Sequence, residues 1–167
     1  MRIRTFLFPA LAVLGLHSAH AASLPARAPG LWQSTTTVTG PNGQPIPNAT
    51  DVVTVSCVDP ETDLKFFTSG QSECSSMNIS GSGAAYTIKG VCTEQGKPIK
   101  IDETLTYASA QRVTLTARFN APAGPEKLTS DLQWQGACLA GMSPGDEGDI
   151  VNGAFSKAGN INDPFNQ

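Results

Sequence analysis

The sequence predicts a mainly β fold: an antiparallel meander of seven to eight strands curled into a barrel-like sheet, with one short helix and two disulfides. Three observations predict it. Apolar residues recur at every second position through most of the chain, the period of half-buried strands rather than of helices. Clusters of Gly, Pro and Asn punctuate these runs at the places where hairpins turn. Four cysteines, an even number, follow an N-terminal segment with the layout of an export signal.

That segment comes first in the chain. Arg2 and Arg4 open it, Phe6 to Leu16 form an apolar run, and Ala19-His20-Ala21 offers small residues for cleavage. The run is shorter than the roughly 20 residues that span a bilayer, and no later stretch approaches that length. Residues 1–21 therefore read as a cleavable signal, 22–138 as one β domain, and 139–167 as a flexible acidic tail rich in Gly and Asn. The expected location is the periplasm. Cleavage behind Ala21 removes both histidines of the chain, His17 and His20. It also removes two of the eleven cations, leaving nine against fourteen acids and a net charge of −5. The remaining cations are scattered, with only Lys97 and Lys100 close together, so the basic stripe of a nucleic-acid binder is absent.

Along the domain, Trp32, Ser34, Thr36 and Val38 share one face of a first strand, and Val53, Val55 and Cys57 one face of a second. Asp59-Pro60-Glu61-Thr62-Asp63 supplies a helix cap, a proline at the first helical position and first-turn acids; Leu64, Phe66 and Phe67 would press that helix onto the sheet. Tyr86, Ile88, Gly90 and Cys92 line the strand after a turn at Gly81-Ser82-Gly83. Ile101, Glu103, Leu105 and Tyr107 alternate with polar residues. So do Val113, Leu115, Ala117 and Phe119, and then Leu128, Ser130, Leu132 and Trp134. A weak helix is conceivable over Ser143 to Phe155, although its glycines count against it.

Cys57, Cys74, Cys92 and Cys138 allow three pairings in an oxidising compartment. The preferred one joins Cys57 to Cys74 and Cys92 to Cys138, which would pin the helical loop and tie the last strand to the middle of the sheet. A hairpin centred on Gly83 would instead set Cys74 opposite Cys92. No C-x-x-C occurs, which argues against a redox pair or a zinc knuckle.

Pro29-Gly30-Leu31-Trp32, Cys57-Val58-Asp59-Pro60-Glu61, Glu73-Cys74, Gly90-Val91-Cys92 and Trp134-Gln135-Gly136-Ala137-Cys138 together resemble a bacterial family of small exported proteins, the domain-of-unknown-function 3617 family. The resemblance covers roughly residues 28 to 139. It implies a periplasmic β-rich domain and brings no established activity, substrate or site residue. The tail after Leu139 departs from the family's usual ending.

Chemistry is constrained by what the mature chain lacks. Without histidine, neither a Ser-His-Asp nor a Cys-His arrangement can form, and Ser-x-x-Lys is absent. Asp59, Glu61 and Asp63 read as helix cap and first turn. Asp102 and Glu103 are neighbours on a strand and point to opposite faces. Glu103 is the exception worth following, because unbroken alternation aims its carboxylate inward beside Leu105. A bulge there would instead return it to water. An inward carboxylate needs a partner or a raised pKa, and is the kind of polar anchor a barrel pocket uses. Asp146-Glu147-Gly148-Asp149 lacks calcium-loop spacing and reads as solvated. Asn48 and Asn78 match the glycosylation pattern, which carries no weight in the bacteria that the resemblance points to, and Trp32 and Trp134 read as core plugs.

The expected function is thus non-enzymatic binding, with no cofactor and no metal: a small apolar ligand in the mouth of the sheet, with Glu103 as a speculative ligand residue, or an envelope partner along an edge strand. Loops such as Thr39 to Asn48 would make contacts. The alternatives are a carboxylate-dependent hydrolase using Glu103 with a second acid, and a structural envelope component.

Overall fold

The computed structural model describes residues 22–68, 74–94, 97–121 and 124–163; the expected signal segment lies outside them. Nine strands and one short helix follow in chain order: β1 (Gly30–Thr39), β2 (Val52–Val58), α1 (Lys65–Thr68), β3 (Cys74–Ser82), β4 (Ala85–Glu94), β5 (Lys97–Ser109), β6 (Arg112–Ala121), β7 (Gly124–Gly136), β8 (Asp146–Val151) and β9 (Ala154–Asn160). All belong to one antiparallel sheet in the order β3-β4-β5-β6-β7-β1-β2-β8-β9. The middle, from β3 to β7, is the expected meander. No helix among the described residues is long and apolar enough to cross a membrane.

Two expectations about the sheet are corrected. It does not close: β3 and β9 are its edges, and no pairing joins them among the described residues. The order is also not a simple meander, because β1 pairs with both β7 and β2. That insertion decides the sulfur chemistry. Leu31 of β1 faces Cys57 on one side and Gly136 on the other, so Cys57 and the residues just past β7 come together. Cys57 is bonded to Cys138 with Cα atoms 5.4 Å apart. The preferred Cys57–Cys74 and Cys92–Cys138 pairing is therefore wrong. Cys57–Cys138 is the one disulfide described, where two were expected; the side chains of Cys74 and Cys92 lie outside the described residues. The alternative hairpin geometry does hold for the backbone: β3 and β4 turn at Gly83, and Cys74 is the register partner of Cys92.

The tail is the other correction. Residues expected to be loose, or weakly helical, form β8 and β9. β8 adds to β2 through Val55 opposite Gly148 and Ser56 opposite Glu147. Gly145 N donates to Cys57 O at 2.8 Å, and Ile161 N to Gly145 O at 2.8 Å, which pins the segment beside the disulfide. Asp146 is buried, with Lys157 Nζ at 2.6 Å and Asn160 Nδ2 at 2.7 Å. Burial pushes its carboxyl up, but those donors and Ser143 N more than offset this and hold it below the usual range. The acid read as solvated is a lock between β8 and β9, built from groups far apart in local pattern.

One face of the sheet carries the core: Trp32, Val58, Ile88, Leu105, Tyr107, Val113 and Leu132, with Phe67 of α1 packed on top. Trp32, Ile88, Leu105 and Val113 are completely buried. Phe66 packs against this cluster as expected, but Leu64 points outward and is exposed. The helix is shorter than its sequence suggests. Asp59 Oδ1 accepts from Thr62 N at 2.8 Å and Glu61 N at 3.1 Å, while Asp59 N donates to Thr62 Oγ1, a reciprocal cap over a turn that leads into α1.

Gly30 shows how tightly β1 is inserted. Its φ is +132°, and a Cβ there would collide with Gly136 O. Gly30→Ala is expected to cost about 1–3 kcal/mol, from a backbone region that side chains avoid and from the clash with β7. Urea denaturation checks this, and an unchanged midpoint would contradict it.

Candidate functional site

The core-bearing face is divided along its length. On β5, Tyr107 and Leu105 are buried, while Glu103 and Ile101 are half-buried. On β6, Val113 is buried, and Leu115, Ala117 and Phe119 are half-buried. On β7, Leu132 and Ser130 give way to half-buried Leu128. One end is covered by α1 and the residues before β1. The other end is a less covered apolar strip.

Glu103 lies in that strip. It stands opposite Ile88 on β4 and Ala117 on β6, so its side chain shares their face and not the face of Asp102. No bulge intervenes between Asp102 and Tyr107. Asp102 meets Lys89 Nζ at 3.5 Å on the opposite, exposed face. The separation of these two neighbours is as the alternation requires. Burial alone pushes the Glu103 carboxyl up to about 7. Among the described residues, nothing cationic lowers it and no second acid contributes to raising it.

The sign of the proton linkage follows. The folded protein holds the Glu103 proton more tightly than the unfolded chain, so stability falls as pH rises from 4.5 through about 7. Glu103→Gln escapes this penalty. Relative to the unsubstituted protein, it is expected to gain about 2 kcal/mol between pH ~5 and pH ~8. Urea midpoints at both pH values check this; parallel midpoints would contradict it.

The covered end holds a second polar group that sequence reasoning missed. Arg27 precedes β1, is buried, and donates from Nε to Asp63 Oδ1 at 2.6 Å and from its backbone N to Asp63 Oδ2 at 2.8 Å. Its guanidinium carbon lies 4.8 Å from the ring centre of Trp32, 4.4 Å from Phe67 and 5.6 Å from Phe66. Burial lowers the Arg27 pKa, opposed by Asp63, Tyr107 and Glu147. Asp63 is therefore an anchor for Arg27, where a first-turn acid was expected; Asp59 alone keeps the cap. Burial, with the nearby Asp63 charge, pushes Tyr107 up to about 12. Burial also raises Glu147, which the register of β8 with Ser56 and Trp32 places on the same face. Among the described residues, Arg27 Nη2 and Tyr107 Oη are buried without a hydrogen-bond partner. Arg27 is the one cation between residue 22 and α1, an isolated charge beside an aromatic strand, and that was its sequence signal. Glu147 had none, because the tail had no visible strand pattern.

Trp32 and Trp134 face each other across β1 and β7, and their indole nitrogens donate to Ala28 O and Pro29 O at 2.8 and 3.0 Å. They are spacers that fix the entry of β1. Among the described residues, no three His, Cys, Asp or Glu side chains converge as a metal site, and Asp146-Glu147-Gly148-Asp149 is divided between core and surface.

Fold and site together define a disulfide-locked, open antiparallel β-sheet domain with ionisable groups on its core-bearing face. The protein belongs to the family described as "Protein of unknown function (DUF3617)", whose model matches residues 27–138. No curated protein matches it. Among solved structures, a redesigned beta barrel aligns at 19% identity over 68% of this chain and 100% of its own, with a TM-score of 0.24.

Proposed function

We propose that this protein is a non-enzymatic binding module working outside the cytosol, and that it holds a small amphiphile in the less covered half of its core-bearing face. The observation that carries this reading is Glu103, a half-buried carboxyl among apolar side chains with burial as the sole cause of its raised pKa. An isolated buried carboxyl costs stability unless a ligand supplies its partner. The apolar body of the ligand would lie along Leu115 and Leu128, and a cationic or hydrogen-bond-donating head would meet Glu103. The Cys57–Cys138 bond suits an oxidising compartment. The hydrolase alternative needs a second acid near Glu103, and none enters its electrostatics.

Calorimetry with dodecylamine and dodecanoate tests the reading. The amine is expected to bind, more tightly as pH rises through about 7, and to lose about tenfold in affinity in Glu103→Gln. The carboxylate is expected to bind more weakly. Absence of amine binding, or equal affinity in the variant, would overturn the proposal.

A further inference from the structure

The opposite face of the sheet gathers charges that are scattered in sequence. Lys89 on β4, Asp102 on β5, Arg118 on β6 and Lys127 on β7 are successive register partners, forming one charged rung across four strands. Lys100 stands two residues from Asp102 on the same face. Lys100, Arg118 and Lys127 line a cavity of about 440 Å³ together with Asp102 and Glu126. Its rim is the loop after β1, where Gly43 N donates to Gly40 O and Gly40 N to Gln44 O, both at 2.9 Å. The loop sits tightly on β7, since a Cβ on Gly124 would lie 2.7 Å from Pro41. Among the described residues, none of these three cations has an ion-pair partner. In a protein with more acids than bases, this sets three cations against two acids in one concave place.

The neighbouring rung is made of hydroxyls. Thr87, Thr104, Thr116, Thr129 and Thr37 are register partners across β4, β5, β6, β7 and β1. At the usual strand spacing this row extends about 19 Å. The Thr37 hydroxyl is engaged by Asp51, whereas the other four hydroxyls can donate and accept, which suits sugar hydroxyls, and the adjacent cations suit acid groups.

We infer that this face binds an anionic glycan, with an acid group of the glycan in the cavity among Lys100, Arg118 and Lys127 and its sugar rings along the threonine row. Its cations and threonines lie on the face opposite Glu103, and the site is independent of the function proposed there.

Dextran sulfate, neutral dextran and inorganic sulfate, titrated against the full mature chain at low and high ionic strength, provide the test. Dextran sulfate is expected to bind and to weaken with salt, while neutral dextran does not bind. The combined Lys100→Gln, Arg118→Gln and Lys127→Gln variant is expected to lose about tenfold, whereas Lys65→Gln with Arg112→Gln, away from the cavity, leaves binding unchanged. Thr104→Val with Thr116→Val should weaken dextran sulfate and leave inorganic sulfate unaffected. No dextran sulfate binding, equal losses in both charge variants, or silent threonine variants would each overturn the inference. Near-ultraviolet circular dichroism confirms that each variant is folded.

Discussion

Replacing both Cys57 and Cys138 by alanine is expected to lower the unfolding free energy by about 4.5 kcal/mol. The bond spans 81 positions in sequence, and closing a loop of that length removes this much denatured-state entropy in the chain-entropy account. Typical domains have only about 5–15 kcal/mol in total, so the variant should be partly unfolded at modest urea or on warming. The consequence is local as well as global. Gly145 N is bound to Cys57 O, and β8 pairs with β2 just before that cysteine, so loss of the bond should loosen β8 and β9 first. Hydrogen exchange would show early loss of protection at Glu147 and Gly148. Uniform loss across β4 to β7 as well would mean the sulfur bridge does not organise the tail.

The second large effect is expected at Arg27 and Asp63. Asp63→Ala leaves the guanidinium buried against Trp32, Phe66 and Phe67 without its carboxylate, and should cost about 3–5 kcal/mol. The backbone donor of Arg27 loses its acceptor in the same step. The double variant Arg27→Met with Asp63→Leu should recover much of that loss, because two apolar groups of similar volume replace the pair. A double variant as unstable as the single one would show that the pair contributes net stability beyond cancelling its own burial. Thermal unfolding followed by Trp32 and Trp134 fluorescence reads both outcomes.

Much of the sheet was legible because local alternation and burial agree. The strands from Tyr86 to Trp134 carry period-two patterns, and the segments between them, Ala110-Gln111 apart, contain Gly or Pro. Glu103 was legible for the same reason: its face is fixed by Leu105 and Tyr107 two and four residues on. The order of the strands was not, because nothing local in β1 says that it will slot between β7 and β2. The disulfide expectation failed with it, since Cys57 comes near Cys138 only through that insertion. β8 and β9 escaped notice because their exposed Ile150 and Val151 alternate with nothing buried, and pairing to β2 supplies the order that their sequence lacks. Arg27 and Asp63 were invisible as a pair, being 36 residues apart and meeting only where α1 folds over the start of β1.

The inward, unpartnered setting of Glu103 is tested most directly by following its carboxyl carbon with NMR as pH is varied. A midpoint at about 7 is the result expected of a carboxyl held among apolar side chains. A midpoint near the ordinary 4.5 would place it in water and contradict a ligand-holding face.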